Sequence, residues 1–126
     1  MAAAAPNPPP KHLYKLLTAA PPLPIPRTLT DVDAQDGFIH LSTAQQVPAT
    51  AGRFFADEPK LWVVKISREA LENREAPAEL RWEASRSHGV FAHLYNGDVL
   101  EADVISVEEF EKGDQSWEKV LADLED

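Results

Sequence analysis

The chain has 126 residues, 44% of them hydrophobic, no cysteine and a formal net charge of −9. Such a length and composition suit one domain with a real core, and they exclude disulfides, thiolate nucleophiles and cysteine-ligated zinc or iron–sulfur sites. The charge is lopsided, with ten acids and two lysines in residues 101–126 against eleven acids and ten bases in residues 1–100, so nothing resembles the basic footprint of a DNA-binding protein.

Residues 1–11, alanine and proline without periodicity, predict a disordered N-terminal tail, and 12–126 a single domain. The tail carries neither a basic stretch nor a long apolar one, so no secretory signal is expected. No apolar run approaches the roughly 18 residues of a membrane span. A cytoplasmic protein with no membrane partner is the simplest expectation. Residues 12–17 alternate as a first strand. The proline-rich stretch 20–26 predicts an extended surface connector, because proline lacks a donor and fixes φ. Asp31 to Asp36 reads as a polar turn, with Gly37 permitting a sharp entry into a strand over 38–41.

Beyond Ser42 the pattern turns helical. Ser42 and Gln45 fit a capping box, and a helix with Pro48 at its first position is expected to run to about Ala56, turning Ala51, Phe54 and Phe55 to the core. The near-continuous apolar run 61–66 predicts a central strand covered on both faces. Ser67 is placed to cap a brief helix over 68–71. Strands are expected at 80–84 and 91–94, and Asn96-Gly97 signals a hairpin into a strand over 99–107. A helical turn is expected at 108–112. Ser116 is placed to cap an acidic, amphipathic C-terminal helix through Trp117, Val120, Leu121 and Leu124. The fold class is α+β, with five or six mostly antiparallel strands and two or three helices.

Two phrases carry the chemistry. Phe38-Ile39-His40-Leu41-Ser42 and Phe91-Ala92-His93-Leu94-Tyr95 both read Phe, apolar, His, Leu, hydroxyl. In extended strands alternate residues share a face, so Phe38, His40 and Ser42 group against Ile39 and Leu41, and Phe91, His93 and Tyr95 against Ala92 and Leu94. A titratable group inside an apolar strand costs free energy unless partnered, and two of them point to a site between strands. His40 alone reads as a core histidine whose ring nitrogens are satisfied by backbone or by Ser42. Histidine also titrates near neutrality and suits acid–base work or ligand contact. Tyr95 can stack on a planar ring. On an 80–84 strand Glu83 faces away from Trp82, where it can serve as acid/base, and Arg86 can clamp an anion. Ser42 and Thr43, just after the 38–41 strand, and Trp82, beside Glu83, are further ligand-binding candidates. His40, His93 and Glu83 lack the close spacing of a metal triad, so no metal is assigned. No Gly-x-Ser-x-Gly elbow, Gly-x-Gly-x-x-Gly fingerprint or Walker loop occurs.

Asp36-Gly-Phe-Ile-His-Leu-Ser42, Leu80-Arg-Trp-Glu-Ala-Ser-Arg86 and Phe91-Ala-His-Leu-Tyr95, with Leu13-Tyr-Lys-Leu16 and Gln45-Gln46, resemble the DUF952 family across about residues 12–107. The chain departs from that pattern at Ala92, where proline is expected, and at 20–35, where a helical segment is expected. The family is named for its lack of a known function. Its fold is similar to that of ADP-ribosyltransferases and NAD-dependent RNA 2′-phosphotransferases, which implies a split sheet gripping a nucleotide in a central cleft. The resemblance thus implies a transferase-like enzyme acting on a nucleotide such as NAD, or on another anionic small molecule. His40 and His93 would hold ribose hydroxyls or do acid–base work, with Glu83 as the third catalytic residue. Ser42, Thr43, Trp82, Arg86 and Tyr95 would line the ligand. The alternative is a non-catalytic module that binds a small metabolite in the same place.

Overall fold

The computed structural model describes residues 4–85 and 88–126. In chain order the elements are β1 (His12–Leu17), α1 (Asp31–Asp36), β2 (Phe38–Leu41), α2 (Val47–Phe54), β3 (Lys60–Ser67), α3 (Arg68–Glu72), β4 (Glu79–Ala84), β5 (Val90–Tyr95), β6 (Val104–Glu111) and α4 (Trp117–Val120), with a 3-10 turn at Glu101–Asp103. The strands form two three-stranded antiparallel sheets, ordered β1-β3-β6 and β2-β5-β4. An antiparallel bridge between Tyr14 and Ser42 links them, with N–H to O distances of 2.7 and 2.9 Å. The α+β class and the antiparallel pairing agree with the sequence.

Strand alternation explains the layering. Ile39 and Leu41 of β2, Ala92 and Leu94 of β5 and Trp82 of β4 turn inward and pack on Leu13, Leu17, Val64 and Ile66 of the first sheet. The opposite face of that sheet, with Tyr14, Leu16, Leu61 and Val63, is covered by α2 and α4 through Val47, Ala51, Trp117 and Leu121. β3 is therefore central and covered on both sides, as its apolar run predicts. The outer face of the second sheet is left for aromatic and polar side chains.

Several local expectations fail for identifiable reasons. Residues 31–36 are a helix, not a turn: Thr30 caps it by accepting from Asp33 N at 3.2 Å, and Gly37 ends it at φ 83°. The capping pair before α2 is Thr43 and Gln46, one residue beyond the expected Ser42 and Gln45. Gln46 Oε1 accepts from Thr43 N at 3.0 Å and Thr43 Oγ1 from Gln46 N at 3.3 Å. Ala51 is buried but Phe54 is 64% exposed, because α2 turns Val47 and Ala51 inward and stops at Phe54. Asn96-Gly97 makes no hairpin. Both edges of β5 are already taken by β2 and β4, and Val99 instead bridges Ile25 in the proline-rich connector. The strand expected at 99–107 runs Val104–Glu111, and the helical turn at 108–112 is its second half. There Phe110 opposes Leu61 and Glu111 opposes Lys60, so cross-strand pairing overrides an acid-rich stretch that reads locally as helix. Ser116 does cap α4, accepting from Lys119 N, but the helix is one short turn. No helix among the described residues is long and apolar enough to cross a membrane.

Candidate functional site

The two histidine phrases pair with each other. β2 and β5 are antiparallel in a register that sets His40 directly opposite His93, Phe38 opposite Tyr95 and Leu41 opposite Ala92. β4 lies on the far side of β5, with Arg81 opposite His93, Glu79 opposite Tyr95 and Glu83 opposite Phe91. The outer face thus carries an aromatic cluster. Phe38 stacks on His93 with centroids 4.2 Å apart and lies 4.6 Å from His40 and 4.8 Å from Tyr95. The two imidazoles are edge-on at 5.2 Å. The Arg81 guanidinium sits 4.3 Å above the Tyr95 ring, a cation–π arrangement.

Each imidazole has its own carboxylate. Glu83 Oε1 accepts from His93 Nδ1 at 2.8 Å and from the Tyr95 hydroxyl at 2.5 Å. The Tyr95 hydrogen bond, and then the one from His93, hold the Glu83 carboxyl below its ordinary value despite partial burial. Burial and then the Glu83 charge push the Tyr95 phenol up to about 12, so it stays a donor. Burial lowers His93, with Glu83 opposing and His40 assisting. An ionised Glu83 only accepts, so the proton of a neutral His93 sits on Nδ1. Nε2 then carries a lone pair, and among the described residues it has no hydrogen-bond donor.

His40 is held differently. Its Nδ1 meets Asp33 Oδ1 at 2.7 Å and its Nε2 meets Asp36 Oδ2 at 3.0 Å. The other Asp33 oxygen takes the Lys15 ammonium at 2.6 Å, and Lys15 also donates to the His40 carbonyl at 3.2 Å. Lys15 and Asp33 are 5% and 1% exposed, a buried ion pair at the foot of the site. Burial works against the Asp33 charge, but the His40 hydrogen bond and the Lys15 ammonium outweigh it and hold the carboxyl below the ordinary range.

Of the residues singled out from sequence, His40, His93, Glu83 and Tyr95 are brought together. Trp82 is not: β4 alternation turns it into the core at 7% exposure. Ser42 is buried at the bridge to β1, and Thr43 is occupied with the α2 cap. Arg86 lies outside the described residues. Sequence reasoning missed Lys15, Asp33 and Asp36. The signal for the two aspartates was Thr30 followed three residues later by Asp33, a capping pattern that places Asp33 and Asp36 one turn apart on the same helical side.

The family model described as "Protein of unknown function (DUF952)" matches residues 22–107. Among solved structures, the chain is similar to the X-ray crystal structure of protein CC0527 from Caulobacter crescentus, with 27% identity over 83% of this chain and 90% of that one and a TM-score of 0.62. A double-mutant form of the same protein matches at 25% identity, equal coverage and the same TM-score. No curated protein matches the chain. With residues 22–107 spanning β2 to the first half of β6, and so both histidine phrases, the chain belongs to the DUF952 family.

Proposed function

We propose that the outer face of the β2-β5-β4 sheet binds a small molecule that carries a planar ring and hydroxyl groups, as a nucleoside does. The observation that carries this reading is the Glu83–His93 pair. Glu83 fixes the Nδ1 proton and leaves Nε2 as a lone pair that can accept a proton or hydrogen bond from a ligand hydroxyl. Phe38 and the Arg81-covered Tyr95 ring supply stacking surface beside it. The described cations do not favour phosphate. Lys15 is engaged by Asp33 and Arg81 by Glu79 at 3.0 Å, so the sugar and ring end of a nucleotide suits this face better than its anionic end.

Two forms of this reading differ in chemistry. In the first the domain is transferase-like, in the manner of the ADP-ribosyltransferase folds that the family resembles, with NAD as the ligand and His93 or Glu83 in acid–base roles. In the second the same face binds a metabolite without turnover. The carboxylate-backed, neutral imidazole supports the first, since mere contact does not require a poised base. A thermal-shift screen with NAD, ADP-ribose, nucleosides and nucleotides tests both. A ligand at 100 times its Kd stabilises by about 2.7 kcal/mol. That shift is expected in the wild type and lost in His93→Gln and His40→Ala variants that remain folded. Release of nicotinamide from NAD then separates turnover from binding. A wild-type protein that none of these ligands stabilises, or a His93→Gln variant with the full shift, would refute the proposal.

A further inference from the structure

The acidic C-terminal segment plays no part in that site, and it lies on the other side of the molecule. Beyond α4, residues 122–126 run without regular structure across the face of the β1-β3-β6 sheet that α2 and α4 cover elsewhere. Their grip has three parts. The Tyr14 hydroxyl donates to the backbone oxygen of Glu125 and His12 Nδ1 to that of Asp126, the latter at 2.9 Å. Leu124 packs on the apolar cluster of that face. Lys65 Nζ pairs with the Glu125 carboxylate at 2.9 Å.

Main-chain hydrogen bonds for affinity, an apolar seat for one side chain and a charge for another are how grooves recognise extended peptides. The seat is also underfilled: a hollow of about 330 Å³ remains between the segment and Val63, Lys65, Ser106, Glu108 and Phe110, with Lys65 rather than Glu108 taking the segment's carboxylate. The charged part of the grip is exposed and weak. Glu125 is 72% exposed in its side chain, and an ion pair that open to water contributes little. A segment so held opens at modest free-energy cost.

We infer that this face of the sheet is a peptide-binding groove selective for an extended acidic segment of a partner protein, and that the chain's own Asp123–Asp126 lies along it in cis. Lys65 reads the partner's carboxylate, Tyr14 and His12 hold its backbone, and Val63 and Phe110 seat its leucine-sized side chain. Cis occupancy sets a threshold, because a tethered competitor acts at an effective concentration near millimolar.

The test is fluorescence polarisation with a labelled peptide of sequence Ala-Asp-Leu-Glu-Asp, copied from residues 122–126. A chain ending at Ala122, which keeps Trp117 and Leu121, is expected to bind it saturably and at least tenfold more tightly than the full chain. Binding is expected to weaken at least tenfold on adding Lys65→Glu and to vanish for a peptide with lysine in place of each acid. No saturable binding by the shortened chain, with its circular dichroism intact, overturns the inference, as does binding indifferent to Lys65→Glu. Should the shortened chain fail to fold, the full-length Leu124→Ala/Glu125→Ala variant is read instead. Peptide binding tighter than wild type supports the groove, and unchanged binding rejects it.

Discussion

At the scale of single residues, the histidine site depends on charges that no short motif announces. Lys15 and Asp33 are both buried and 2.6 Å apart. Removing one partner strands the other's charge in the interior, so Lys15→Met is expected to cost about 3–5 kcal/mol in urea unfolding. Changing Asp33 to Leu alongside it is expected to recover part of that loss, and a double variant no more stable than the single would show that the pair is not the source. His93 makes a second prediction. Burial holds its folded-state pKa below the ordinary 6.5, so on acidification the unfolded chain takes up the proton first. His93 therefore costs nothing above about pH 6.5, and stability falls as pH drops below it. His93→Gln is expected to flatten that part of the melting-temperature profile, and an unchanged profile would rule out this origin. His40, His93, Glu83 and Tyr95 were legible because period-two alternation puts them on one face. Lys15 and the aspartates were not, since their relevance arises from β1 and α1 closing on the end of β2.

At the scale of elements, local signals succeed where backbone chemistry is decisive and fail where a partner decides. Gly37 is a success. It ends α1 at φ 83°, and a Cβ there would touch nothing within 4 Å. Gly37→Ala is thus expected to cost only the left-handed backbone term, roughly 1–2 kcal/mol, with Gly37→Asn costing less. Equal losses for both in chemical denaturation would point to a contact instead. Asn96-Gly97 is the contrary case. Asn96 does adopt positive φ, at 57°, yet the chain cannot fold back because both edges of β5 are already paired. In β6, Glu108–Glu111 reads as helical only until Leu61 and Lys60 of β3 are known to meet it across the sheet.

At the scale of the whole molecule, two apolar layers share one sheet. Trp117 closes the outer one, 1% exposed and donating its indole N–H to Glu58 O at 3.0 Å. Trp117→Ala is expected to cost about 3–5 kcal/mol and to release the C-terminal segment, seen as faster amide exchange across α4 and the residues that follow. Protection there equal to wild type would show that the segment is held without it. Alternation, turn residues and apolar runs in the sequence by themselves determined the α+β class, the strands at 12–17, 38–41, 61–66, 80–84 and 91–94, and which residues share a face in the two histidine strands, because a period of two is a property of the chain alone. Only the tertiary structure decided that the strands divide into two sheets, that His40 falls opposite His93, that Lys15 pairs with Asp33 beside His40, and that residues 123–126 lie against Lys65. Strand order and register depend on contacts between segments far apart in sequence, which local periodicity does not encode.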